Sequence, residues 1–158
     1  MTGSLRQRLQ QSKPFDSLET EAYLCLLELG QELTDGIARL LKAKDLSMPQ
    51  YNALRILRGA GEGGLPCGGL AERMIHRVPD VTRLLDRLEA RGLVTRQRET
   101  EDRRVVRAWI TDKGRQCIAP LDEALVKVHQ AQLGHLGERK LRQLIRLLEE
   151  ARQGNHPS

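Results

Sequence analysis

Between residues 77 and 111 the chain reads RVPDVTRLLDRLEARGLVTRQRETEDRRVVRAWIT, and its hydrophobic period changes once. Up to Arg91 the apolar residues Val81, Leu84, Leu85 and Leu88 fall in one stripe about 100° wide when the chain is wound at 100° per residue. Beyond Gly92 the runs LVTRQR and VVRAWI flank the six-residue ETEDRR, and the second alternates Val106, Ala108 and Ile110 against Val105, Arg107 and Trp109. The stretch therefore predicts a helix from Pro79 to Arg91, ended at Gly92 and followed directly by a β-hairpin. Pro79 suits the first turn of that helix because it needs no amide partner there.

The flanking sequence is helical. Residues 1–15 read as a polar, flexible arm, and DSLE from Asp16 opens a leucine-rich helix over 16–45 in which Leu26, Leu29, Leu33, Ile37, Leu40 and Leu41 recur at helical spacing. LSMPQY is a second start: Ser47 and Gln50 form a capping box, with Leu46 and Tyr51 placed as a hydrophobic staple and Tyr51, Leu54 and Leu57 inward. GAGEGG ends that helix. Its glycines fit G-x-G-x-x-G in spacing, but they follow a helix rather than a strand and no Gly-Lys-Ser/Thr is present, so a flexible loop is expected and not a nucleotide cradle. A short helix near Cys67–Met74 precedes the stretch above. After it, TDKG restarts a helix at Thr111 that contains Pro120, and Gly134 and Gly137 separate it from a last helix carrying Leu141, Leu144, Ile145 and Leu148. The order is α-α-α-α-β-β-α-α, a mainly α fold with one small β-hairpin.

Charge sharpens the reading. The chain of 158 residues carries +5, and from Arg73 to Arg107 ten arginines face six acidic residues, which gives +4 in 35 residues and leaves +1 for the other 123. The outer face of the helix after Pro79 presents Pro79, Arg83, Asp86, Arg87 and Ala90, with Asp80 and Thr82 on its shoulders. A short helix, a tight turn and a second helix with basic outward residues make a helix-turn-helix, whose second helix fits the major groove, where arginine bonds guanine O6 and N7 as a bidentate fork. The hairpin turn holds Arg103 and Arg104 beside Asp102 and can carry a guanidinium to the minor groove or to adjacent phosphates, with Asp102 expected to pair with an arginine and orient it.

Other classes find less support. No apolar run is long enough to span a membrane and no secretory leader is evident, so a cytoplasmic protein without membrane association is expected. Cys25, Cys67 and Cys117 are odd in number and widely spaced, which argues against a disulfide framework and a zinc ribbon; buried or half-buried thiols are expected, with oxidant sensing by one of them left open. His76, His129 and His135 show no ligand spacing, and no nucleophile elbow or triad order is visible, so neither metal, cofactor nor enzymatic activity is expected. The competing class is a helical protein-interaction adaptor that has the fold without binding DNA.

The segment LAERMIHRVPDVTRLLDRLEARGLVTRQRETEDRRVVRAWITDKG, from Leu70 to Gly114, resembles the winged helix-turn-helix core of the MarR family of bacterial transcriptional regulators, and the helix order extends the likeness over about residues 16–152. The specific elements are VTRLLDRLEARGLV, DRR at wing distance and ITDKG. The resemblance implies a homodimer in which the first helix (16–45) and the C-terminal helices (112–153) form a dimerisation region, the lobe over 46–111 reads half of a roughly palindromic operator, and 154–158 is a tail. It implies a transcriptional regulator, commonly a repressor, that releases DNA when a small, often aromatic anion or an oxidant acts. Carried over by position, Asp80, Thr82, Arg83 and Arg87 match the recognition helix, with Pro79 on the same face. Asp102 and Arg104 match the wing pair, and Arg77, Arg98 and Arg103 are expected at phosphates. RVPD stands where relatives usually begin this helix with serines, which removes hydroxyl donors near the bases.

Overall fold

The computed structural model describes residues 4–75, 79–99, 102 and 104–154. They divide into two compact units, Met1–Gly36 and Ile37–Ser158.

In the first unit, the segment expected as a flexible arm contains one helical turn, α1 (Leu5–Arg8). The Gln7 side chain accepts from the Ser4 amide at 3.0 Å, which satisfies a donor that a free helix start would leave open. Leu5 is buried, and Arg8 pairs with Glu28 of α2 (Leu18–Lys42). Burial of one leucine and an ion pair give this turn what its own propensity lacks, which is why a purely local reading misses it. Ser17, whose hydroxyl accepts from the Thr20 amide at 3.1 Å, starts α2.

The second unit holds the core. Ser47 and Gln50 form the expected capping box at the start of α3 (Met48–Ala60), and Leu46 and Tyr51 are both buried. GAGEGG is not the flexible loop expected: Gly59 and Ala60 still belong to α3, and Gly61–Gly63 form a 3-10 turn whose Glu62 carbonyl accepts from the Trp109 indole at 2.9 Å. The chain then enters β1 (Leu65–Pro66), a strand absent from the expected order. Two residues show no alternation, so only the partner strand reveals it. It leads into α4 (Cys67–Arg73) and then α5 (Val81–Ala90). The strands β2 (Val94–Arg98) and β3 (Val106–Ile110) form the expected hairpin, and β1 pairs with the other edge of β3, giving an antiparallel sheet of order β1-β3-β2. The chain closes with α6 (Asp112–Leu133) and α7 (Gly137–Gly154). Pro120 lies inside α6 without ending it.

Leu41, Leu54, Leu57, Leu70, Leu85, Leu88, Val94 and Ile118 are the most deeply buried large side chains, drawn from α2, α3, α4, α5, β2 and α6. Each such side chain contributes roughly 1.5–3 kcal/mol of burial free energy. Leu85 and Leu88 thus hold α5 to the lobe by one stripe and leave its opposite face outward. Arg58 of α3 adds a bidentate pair to Asp122 of α6 at 2.8 and 2.7 Å, which holds the Asp122 carboxyl below the usual aspartate range. By contrast α7 buries none of its residues: Ile145, Leu147 and Leu148 are exposed.

Candidate nucleic-acid interface

The helix after the turn begins two residues later than the sequence suggests, at Val81 rather than Pro79. Asp80 is the N-cap of α5, its carboxylate accepting from the Arg83 amide at 2.9 Å, so Pro79 lies before the helix rather than in its first turn. A capping aspartate satisfies an orphan amide and complements the helix dipole, and that preference displaces proline from the first turn. Pro79, Asp80, Thr82, Arg83 and Arg87 are all exposed, and the last three lie on α5 away from the buried Leu85 and Leu88. Arg77 and Arg103 lie outside the described residues.

The wing is built by pairing. Its last strand pair is Arg98 with Val106; the Glu99 amide donates to the Val105 carbonyl at 3.0 Å, and the Val105 amide to the Asp102 carbonyl at 3.0 Å. The Asp102 carboxylate accepts the backbone amide of Arg104 at 2.9 Å, and among the described residues it forms no ion pair; its expected pairing with a guanidinium extends to Arg103, which lies outside the described residues. An aspartate two residues before an amide closes an Asx-type turn more cheaply than it orders a long flexible side chain. Asp102 therefore shapes the turn that carries Arg104.

The structure sorts the arginines that the sequence only counts. Arg91 donates to the carbonyls of Asp45 and Lys44 at 2.5 and 3.1 Å. Arg96 reaches from β2 to α5, with its guanidinium 2.7 Å from Glu89 and 2.5 Å from Asp86 while its amide donates to Glu89 at 2.9 Å. Glu89 first, and Asp86 after it, hold that guanidinium firmly protonated. Arg107 pairs with Glu99 at 2.6 Å and donates to the Gly63 carbonyl at 3.1 Å. The side chains of Arg73, Arg83, Arg87, Arg98 and Arg104 make no hydrogen bond or ion pair among the described residues, and all five are exposed. Meanwhile each described carboxylate from Asp80 to Asp102 is engaged, in a cap, in a turn or by Arg96 or Arg107. The described acids of α5 and the wing are thus spent on the lobe's own architecture, and among the described residues Arg83, Arg87, Arg98 and Arg104 are left uncompensated.

Thr82, Arg96, Arg104 and Val106 share a groove of about 390 Å³ with Pro66 and Cys67. Burial pushes the Cys67 thiol up from its ordinary range, against the opposing pull of the nearby Arg96 guanidinium. Cys117 is half-buried, as expected, but Cys25 is exposed on α2. Sequence reasoning did not single out Arg96; its only signal was a basic residue in a strand following a helix with acids at i and i+3.

A family model described as the MarR family matches residues 46–106. The HTH-type transcriptional repressor IacR of Pseudomonas putida is 31% identical over 116 residues, which is 73% of this chain and 68% of that protein. A MarR transcription factor from Planctomyces limnophilus is 42% identical, with a TM-score of 0.67 over 86% of this chain and 98% of that one. A MarR family transcriptional regulator from Streptomyces coelicolor, solved in complex with DNA, shares the fold at a TM-score of 0.79 and 22% identity over 94% of this chain and 95% of that one. With a winged helix-turn-helix lobe, a matching family model and relatives that are transcriptional regulators, the chain belongs to the MarR family.

Proposed function

We propose that this protein is a sequence-specific repressor that binds duplex DNA as a homodimer through the surface of α5 and the wing. Arg83 and Arg87 meet base edges in the major groove, Thr82 and Asp80 border them, Arg104 enters the adjacent minor groove, and Arg98 meets phosphates, as do Arg77 and Arg103. The observation that carries this reading is the sorting of charge. Every described acid of α5 and the wing has a structural partner, whereas Arg83, Arg87, Arg98 and Arg104 have none among the described residues, and such a surface suits an external polyanion. Asp102 acts through the turn it closes. Pro79 sets the approach of the chain to the helix start.

The exposed apolar residues of α7, and separately Leu18, Tyr23, Leu26 and Leu27 of α2, support a partner copy covering the terminal helices. A small-molecule effector, an aromatic anion, that favours the unbound conformation would release the operator, and a cytoplasmic, non-enzymatic role fits the relatives; among the described residues no helix is long and apolar enough to cross a membrane. The experiment that tests the reading is duplex binding as a function of salt for the wild type and the R83A/R87A/R104A variant. The wild type is expected to lose affinity with a log-log slope of roughly −0.9 per neutralised phosphate. Unchanged operator binding by the triple variant would overturn the site, and no duplex binding at low salt would favour a protein-interaction adaptor.

A further inference from the structure

The covalent link between α5 and the wing is the short turn at Arg91–Leu93. One such link fixes where a helix and a hairpin join, and the core that buries Val94, Ala108 and Ile110 with Leu85 and Leu88 seats the base of the hairpin. Arg96 adds a directional polar tie farther along β2. It stands in the middle of β2, and its side chain, 19% exposed, runs back to two carboxylates at i and i+3 on α5, with Nε 3.0 Å and Nη2 2.7 Å from Glu89 Oε2 and Nη2 2.5 Å from Asp86 Oδ1. The Arg96 amide on Glu89 Oε1 at 2.9 Å ties backbone as well as side chain. A multidentate, half-buried guanidinium of this kind fixes direction, not only distance.

We propose that Arg96 is a positioning residue for operator recognition. By clamping β2 to Asp86 and Glu89 it fixes the angle between α5 and the wing, and so the number of base pairs between the bases met by Arg83 and Arg87 and the minor-groove position met by Arg104. This rests on the DNA-binding reading above. The geometry makes the angle consequential: at about 3.3 Å per residue the wing tip stands roughly 20 Å from the turn. A tilt of about 10° then moves it by about 3.5 Å, one base-pair step along the duplex.

The test is a double-variant cycle on operator affinity with the full chain, comparing wild type, R96Q, R104A and the combination on the duplex selected by the wild type. If Arg96 delivers Arg104, each single variant weakens binding by about tenfold and the combination is no weaker than either. R96Q in addition loses base preference at the positions flanking the half-site core, which a merely stabilising ion pair would leave intact. Losses that multiply to about a hundredfold, or a wild-type flanking preference in R96Q, overturn the clamp and leave the DNA-binding reading standing. A neutral R104A overturns the wing contact and the clamp together. D86N/E89Q breaks the same contacts from the helix side; with a melting temperature near the wild type's it is expected to reproduce the R96Q base profile, and a wild-type profile overturns the proposal.

Discussion

At the scale of single residues, arginines that look alike in sequence divide by what the fold gives them. Arg96 and Arg98 are two residues apart on β2, yet one is bound to Glu89 and Asp86 and the other has no partner among the described residues. That division was not legible in the sequence, because Glu89 and Asp86 come to Arg96 only when the hairpin folds back along α5. Arg83 and Arg87 were legible, since helical period alone sets them opposite Leu85 and Leu88. The two kinds of free arginine are expected to differ in measurement. Arg83→Ala should weaken operator binding by about 1–3 kcal/mol and relax base preference at one position of each half-site. Arg98→Ala should weaken binding to all duplexes alike and reduce the salt slope by about 1. Titrations of both variants on selected and scrambled duplexes at several salt concentrations check this, and equal base preference in the two variants would contradict the division.

The elements were read most accurately where two signals agreed. Ser47 with Gln50 and Leu46 with Tyr51 mark the start of α3 twice over, and the alternation of β3 is fixed by the burial of Ala108 and Ile110. Errors fell where one residue type serves two positions. Pro79 fits a first turn as well as the step before a cap, and the Asp80 carboxylate decides between them through the Arg83 amide. β1 was not legible because its order comes from Ala108 and Arg107 of β3. One junction gives a test with a reversed sign. Gly114 sits in the first turn of α6, where alanine ordinarily improves a helix by about 1 kcal/mol. A Cβ there would meet the Leu93 carbonyl oxygen at 2.2 Å and the Ile110 side chain at 2.7 Å. Gly114→Ala is therefore expected to destabilise the lobe by about 2–4 kcal/mol, read by chemical denaturation. A stabilised variant would mean that α6 does not pack this closely on the turn after α5.

For the whole molecule, the sequence disclosed more than one chain can satisfy. Leu141, Leu144, Ile145 and Leu148 repeat at helical spacing as a core helix would, but α7 has no buried residue, so the periodicity describes a surface awaiting a partner. Leu148→Glu with Ile145→Glu is expected to convert the dimer to a monomer in analytical ultracentrifugation while leaving the lobe's melting unchanged. The same variant should bind a full operator more weakly by at least about tenfold, since two linked half-site contacts become one. A dimer that survives both charges would contradict the assignment of α7 to the interface. The most direct test of the central claim is unbiased selection of bound duplexes from a random pool by the purified protein. Arginines freed by the fold on α5 and the wing of each copy of a symmetric dimer are expected to enrich a palindrome whose half-sites lie about one helical turn apart, roughly 10 base pairs, with defined bases under α5. An unenriched pool, or a single asymmetric site, would contradict it.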